Sequence, residues 1–178
     1  MTREWRNRTI GLALAAAIFA LDSWIKSLVL GPWNLRALGK IDLLPFFDLT
    51  WTQNFGVSLG MFTAQSAEMR LALIAVTGLI ALAVAIWMLR EKALGDIAAL
   101  GLVLGGALGN IVDRARLGYV LDYADLHFGD FRPFLVFNVA DAAITVGVLI
   151  ILARALFMRE KPPAPHDDKK ADQSAETF

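Results

Sequence analysis

Cysteine is absent from the 178 residues, which removes disulfides, thiolate nucleophiles and Cys-ligated metals together. Histidine is nearly absent. His127 and His166 are too few and too far apart for a His-based metal cluster, and neither a metal nor a cofactor is expected. No charge of either sign prevails: 17 basic and 17 acidic residues cancel, so no global field argues for a nucleic-acid partner. Internal repeats are missing as well. Any catalysis must draw on residues other than Cys, His and metal ligands.

Apolar residues, by contrast, are abundant: they make up 57% of the chain, and mean hydropathy is +0.54. Their clustering is more specific than their number. A hydrocarbon core of about 30 Å needs roughly 20 apolar residues in helical form. Ile10–Leu30, Leu71–Leu89, Ile97–Val112 and Val139–Phe157 approach that length with very few charges. The third run reaches it when Ala93–Asp96 joins, giving spans of about 10–30, 71–89, 94–112 and 138–157. Arg3, Arg6 and Arg8 before an apolar stretch also fit a cleaved signal peptide. The run continues through Trp24 to Leu30 with no small-x-small site, so the segment reads as a retained anchor.

Lys and Arg set the topology. Arg3, Arg6 and Arg8 precede span one, Arg90 and Lys92 separate spans two and three, and Arg154, Arg159 and Lys161 close span four. Both termini are then cytoplasmic, and segments 31–70 and 113–138 face outward. The first outer segment has strand character over Phe46–Thr52, where Leu49 and Trp51 alternate with polar neighbours. The second carries Tyr119, Tyr123, Phe128 and Phe131, which predicts a short interfacial helix. The expected fold is all-α and integral to the membrane: four spanning helices, a small β element and a short interfacial helix on the outer side. Residues 1–158 would form this unit, and the polar, Pro-containing stretch 159–178 a disordered cytoplasmic tail.

Polar residues inside spans are costly and face partners. Asp22 and Lys26, four apart on span one, share a face as an ion pair. Asn110 and Asp113 end span three, and Asn138 and Asp141 begin span four. Topology alone gathers all six at one depth. Gly101, Gly105 and Gly109 recur every fourth residue on span three, a face suited to close helix packing. Five aspartates and no glutamate fall from Asp113 to Asp141. Two close carboxylates do not both ionise easily, so one can hold a proton while the other acts as base. For Asp125 and Asp130 the simpler reading is capping or pairing with a nearby arginine. Asp113, beside Arg114, reads as half of a supporting ion pair. Asp122 and Asp141 remain as the candidate dyad.

The blocks GGALGNIVDRARLGYVLDY (Gly105–Tyr123) and FNVADAAITVG (Phe137–Gly147) resemble the two signatures of the lipoprotein signal peptidase family, roughly GNxxDRxxxGxVxDF and FNxADxxI. Upstream, LDSWIK (Leu21–Lys26) is similar to its D-Q-x-x-K block, and TQNFGVSLGMF (Thr52–Phe62) to its N-x-G-x-A-F-G block. The resemblance runs from about residue 10 to 157. It implies Asp122 and Asp141 as the catalytic pair. Asn54, Gly56, Asn110, Asp113, Arg114 and Asn138 would line or brace the substrate site, with Asp22 and Lys26 as a paired supporting set. It further implies a cofactor-free aspartic endopeptidase of the bacterial inner membrane, expected as a monomer among membrane lipid. The substrate would be a diacylglyceryl-modified prolipoprotein, cut before its lipidated cysteine, and globomycin the inhibitor. Ser23 in place of Gln, Tyr123 in place of Phe, and Ser58–Leu59 in place of Ala–Phe bear on substrate fit and leave every acid intact.

Two motifs point elsewhere. GVSLG (Gly56–Gly60) matches the G-x-S-x-G elbow of serine hydrolases, with His127 as a conceivable base, but the segment is too short for the sheet that elbow requires. ALGD (Ala93–Asp96) approaches the GxGD motif of other intramembrane proteases. It lies at the opposite side from the other acids, where Asp96 reads as a helix N-cap. Two other classes compete: a small transporter or channel component with intramembrane Asp and Lys, and a non-catalytic membrane scaffold. Acids clustered at one depth, with no broken-helix pair, argue against an ion path.

Overall fold

The computed structural model describes residues 2–56 and 67–157. The Ser58 motif and the polar tail lie outside the described residues. Four long helices dominate: α1 (Arg3–Leu30), α3 (Ala67–Arg90), α4 (Leu94–Leu117) and α5 (Val139–Phe157). All four are long and apolar enough to cross a membrane; the 24 residues of α3 extend about 36 Å at 1.5 Å per residue. Three of them outrun their expected spans. α1 already begins at Arg3, α3 starts at Ala67, and α4 continues through the polar stretch to Leu117.

α4 is the hub, packed against α1, α3 and α5. With no hydrophobic drive between helices in lipid, close approach of small residues supplies the contact. A Cβ on Gly101 would stand 2.6 Å from the Gly11 carbonyl of α1, and one on Gly147 2.6 Å from the Ala99 carbonyl of α4. Gly109 serves the site more directly: a side chain there would collide with the Asp22 carboxylate. Ala15, Ala81, Met88, Ile97, Leu100 and Leu104 form the intramembrane core. Outward-facing Leu79, Leu82, Leu149 and Leu152 remain exposed on the bundle surface, as a lipid-facing perimeter requires.

At one end of the bundle sits an antiparallel sheet of β1 (Lys40–Leu44), β2 (Phe47–Asn54) and β3 (Val120–Leu126), in that spatial order. Val29, Leu35, Leu49, Leu121, Tyr123 and Ala124 form a second core beneath it. Here one expectation is corrected. The segment after Asp113 holds strand β3, not an interfacial helix; the short helix is α2 (Leu35–Leu38), in the first connection. The aromatics Tyr119 and Tyr123 pack under the sheet and are not spread along a helix face. At the far end Asp96 is also corrected. Ala93 occupies the N-cap, and Asp96 accepts from Arg154 Nε at 2.7 Å, tying α4 to α5.

β2 and β3 change register between Leu49 and Thr52, one extra residue on β2. A bulge of this kind re-aims the side chains beyond it. After it, Thr52 stands opposite Asp122, and Asn54 opposite Val120.

Candidate active site

Asp122 and Asp141 are far apart in the chain, and the loop between them closes because Phe137 pairs with Ala124. The Phe137 N–H donates to the Ala124 carbonyl at 3.0 Å, and the Ala124 N–H returns the bond at 2.8 Å. The start of α5 is thereby fixed beside β3.

Asn138 and Asp141 then form a reciprocal cap on α5. Asn138 Oδ1 accepts from the Asp141 N–H at 2.8 Å, and Asp141 Oδ2 accepts from the Asn138 N–H at 3.3 Å. The N-x-x-D spacing makes a capping box. The same Asn138, fully buried, points its Nδ2 at Asp122 Oδ1, 2.7 Å away. One amide side chain therefore touches both carboxyl residues. A second amide completes the bracket: Asn110 Nδ2 donates to Asp141 Oδ1 at 2.8 Å, while its Oδ1 accepts from Asn138 at 3.3 Å. From the sheet, Asn54 Nδ2 donates to Asp122 Oδ2 at 3.0 Å. Asn54 is aimed by its own turn, its Oδ1 accepting from the Gly56 N–H at 2.8 Å. Gly56 adopts φ +84°, a left-handed conformation that suits glycine.

Behind this bracket lies an ion triad. Lys26 Nζ is 2.7 Å from Asp22 Oδ2 and 2.7 Å from Asp113 Oδ2, and 3.4 Å from Asn110 Oδ1. The Asp22–Lys26 pair is thus present as expected. Asp113 is corrected: its cation is Lys26, not Arg114, because adjacent residues on a helix do not face each other. Each acid also holds backbone. Asp22 Oδ1 accepts from the Ala140 N–H at 3.1 Å, and Asp113 Oδ2 from the Leu121 N–H at 3.1 Å. The triad so grips the residues immediately before both Asp122 and Asp141. Arg114 makes no ion pair among the described residues. It exerts its field on Asp141, Asp122 and Asp113, and its guanidinium lies beside Gly56.

Asp122 is 2% exposed. Burial, then the neighbouring Asp141 charge, push its carboxyl up from 3.8 to about 7, against the pull of Asn54, Asn138 and Lys26. Such a group exchanges a proton near neutrality. Burial likewise raises the Tyr123 phenol.

The remaining acids stand apart. Asp125 accepts from Arg132 Nε at 3.2 Å and from Thr50 at 3.1 Å, the pairing expected for it, and Asp130 is exposed. No sequence pattern hints at the cluster around buried Asp48, which meets Lys40 Nζ and His127 Nε2 at 2.7 Å each. Lys40, and behind it His127, hold the Asp48 carboxyl below the usual range. His127 is therefore engaged at the sheet, as a partner of Asp48.

Two cavities open on the acids. One, of about 310 Å³, is lined by Thr52, Gln53, Asn54, Asp122, Leu135 and Val136. The other, about 280 Å³, is lined by Phe134, Phe137, Asp141, Ala142, Thr145 and Val146. Sequence reasoning missed Phe134–Val136, apolar residues in a loop, and Thr145, a lone hydroxyl in an apolar span, as site residues.

A family model described as "Signal peptidase (SPase) II" matches residues 14–157. A lipoprotein signal peptidase of Sphingopyxis alaskensis is 58% identical over 151 residues, 85% of this chain and 87% of that protein. Its counterpart in Rhizorhabdus wittichii is 55% identical over 163 residues, covering 91% and 95%. A solved bacterial membrane enzyme superposes with a TM-score of 0.71 at 25% identity, covering 84% of this chain and 94% of that one.

Proposed function

The chain belongs to the signal peptidase II family, and on that premise we propose that Asp122 and Asp141 are the pair that hydrolyses the peptide bond. The protein is a multi-pass membrane aspartic peptidase with lipoprotein signal peptidase activity. The substrate is a prolipoprotein bearing a diacylglyceryl group, cut on the N-terminal side of the modified cysteine. The observation that carries the assignment is the single Asn138 side chain bonded to both residues, at 2.7 Å to Asp122 and 2.8 Å to the Asp141 N–H.

Asp122, pushed up to about 7, keeps the shared proton. Asp141 is placed to act as the base, with amide donors on both oxygens and the N-terminus of α5 beneath it, where negative charge is favoured. Asp141 takes a proton from water, the hydroxide oxygen bonds to the scissile carbon, and Asp122 gives its proton to the carbonyl oxygen. The gem-diol then collapses. Its hydroxyl proton returns to Asp122, the C–N bond breaks, and Asp141 passes its proton to the departing amine. Asn54, Asn110 and Asn138 hold the carboxyls, Asp22, Lys26 and Asp113 hold the backbone around them, and Arg114 faces the peptide with Gly56.

The Lys/Arg distribution supports an inner-membrane orientation with both termini cytoplasmic and the sheet end outward. There, a peptide at the headgroup level meets the acids while its acyl chains stay in hydrocarbon. The enzyme works as a monomer of residues 1–158, and globomycin occupies the same site. Purified protein given a diacylated prolipoprotein tests the assignment. Asp122→Asn and Asp141→Asn should each abolish cleavage, the double variant should be scarcely worse than either single, and Asp130→Asn should stay active. Turnover by either single dyad variant near the wild-type rate would sink it.

A further inference from the structure

The two cavities share a wall. Phe134 and Phe137 face the one that contains Asp141, whereas Leu135 and Val136, between them in sequence, face the one that contains Asp122. The wall is fastened at both ends. Arg132 is held to Asp125, itself 3% exposed, and Phe137 is bridged to Ala124. Between the fastenings Leu135 is 87% exposed, although it borders the buried Asp122.

The rooms differ in chemistry. Thr52, Gln53 and Asn54 give the Asp122 side polar groups along an extended strand. The Asp141 side has Phe134, Phe137, Ala142 and Val146. It continues along α5 onto exposed Val146 and Leu149, which face the lipid.

We propose that Phe134–Phe137 sorts the substrate across the dyad, with the acyl-bearing cysteine on the Asp141 side and the signal-peptide residues before the scissile bond on the Asp122 side. This rests on the proposed roles of the two acids. The departing amine belongs to the lipidated cysteine and receives its proton from Asp141, so the cysteine must lie on that side. The carbonyl belongs to the preceding residue and is polarised by Asp122, which fixes the other half. Val136 then limits the size of that residue's side chain, and Thr145 and Phe134 line the path of the acyl chains.

Two variants separate the rooms: Val136→Trp crowds the Asp122 side, and Thr145→Trp crowds the Asp141 side. Each is assayed for kcat/KM on four precursors, with Ala or Leu before the cleaved bond and with dipalmitoyl or dihexanoyl chains, after a melting curve in detergent establishes folding. Val136→Trp should raise the Ala-over-Leu preference about tenfold, the scale on which pockets discriminate by methylene groups, and leave the chain-length ratio near wild type. Thr145→Trp should lower the dipalmitoyl-over-dihexanoyl preference about tenfold and leave the Ala-over-Leu ratio alone. If Val136→Trp does not fold, Val136→Phe takes its place. Ratios that move in the reverse assignment, together in both variants, or in neither would overturn the proposal. A failure of the dyad reading would appear separately, as cleavage by Asp122→Asn.

Discussion

Replacing Asp122 with Asn should destroy turnover and, at alkaline pH, stabilise the protein. In the folded state burial and Asp141 push the Asp122 carboxyl from 3.8 to about 7, so the folded protein holds this proton more tightly than the unfolded chain does. Stability contributed by the group is therefore intact below pH 4 and is lost as pH rises through about 7. At roughly 1.36 kcal/mol per unit, the penalty for ionising Asp122 in place reaches about 4 kcal/mol above pH 8. The amide side chain of the variant carries no such penalty. It does turn an N–H toward the donor of Asn54 or Asn138, leaving one buried donor without its acceptor at a cost of about 1–3 kcal/mol. The balance at pH 8.5 favours the variant by about 1–3 kcal/mol, which at 2–4 °C per kcal/mol for a chain of this size raises Tm by roughly 2–12 °C. At pH 4.5 the Asp122 penalty has fallen to about 1 kcal/mol, no more than the lost hydrogen bond costs, and the variant should melt at or below the wild type. Melting in one detergent at the two pH values reads the difference directly. An equal Tm change at both pH values, or destabilisation at pH 8.5, would refute the claim that Asp122 is strained by its charge.

Lys26→Met leaves Asp22 and Asp113 buried without their shared cation, a loss of about 3–5 kcal/mol; most of the protein should aggregate or melt well below wild type, and an unaltered Tm would mean the triad is not structural. Reporters that are active only outside the cytoplasm should give signal when fused at Gln65 and none at Phe178; the opposite pattern would invert the proposed orientation. An unlipidated precursor should be cut far more slowly than the diacylated form, since acyl burial contributes about 0.8 kcal/mol per CH₂ to anchoring at the depth of the acids; equal rates would contradict recognition from within the bilayer.

Hydrophobic length made the four helices legible, and topology was enough to bring Asp22, Lys26, Asn110, Asp113, Asn138 and Asp141 to one end. Strand β3 was not legible, because Val120 through Asp125 are all buried, so the alternation that betrays a half-buried strand never appears. Its aspartates, the dyad candidate Asp122 among them, read as members of a loop. Partners on different elements were also hidden. Sequence adjacency suggested Arg114 for Asp113, whereas the cation comes from Lys26 on α1. Asp96 looked like a cap because it opens a helix, and its true partner, Arg154, lies near the far end of α5. Asn138 was singled out as a polar residue of the site, but its double attachment depends on the Phe137–Ala124 bridge, which no local pattern encodes. The cavity wall at Phe134–Val136 was invisible for a plainer reason: apolar side chains in a loop resemble membrane contact.

The amide bracket has a consequence for resistance to inhibitors. Asn138 starts a helix and grips Asp122, of the proposed dyad, with the same side chain, and Asn110 joins Asp141 to the Lys26 triad. A compound that rests only on these groups confronts the enzyme with escape mutations that also undo its folding or its chemistry. A compound whose affinity depends on Leu135 rests on a side chain that is 87% exposed and can change at little cost to the fold. Durable inhibition therefore favours small polar ligands seated deep between the two asparagines over larger ones that lean on the wall.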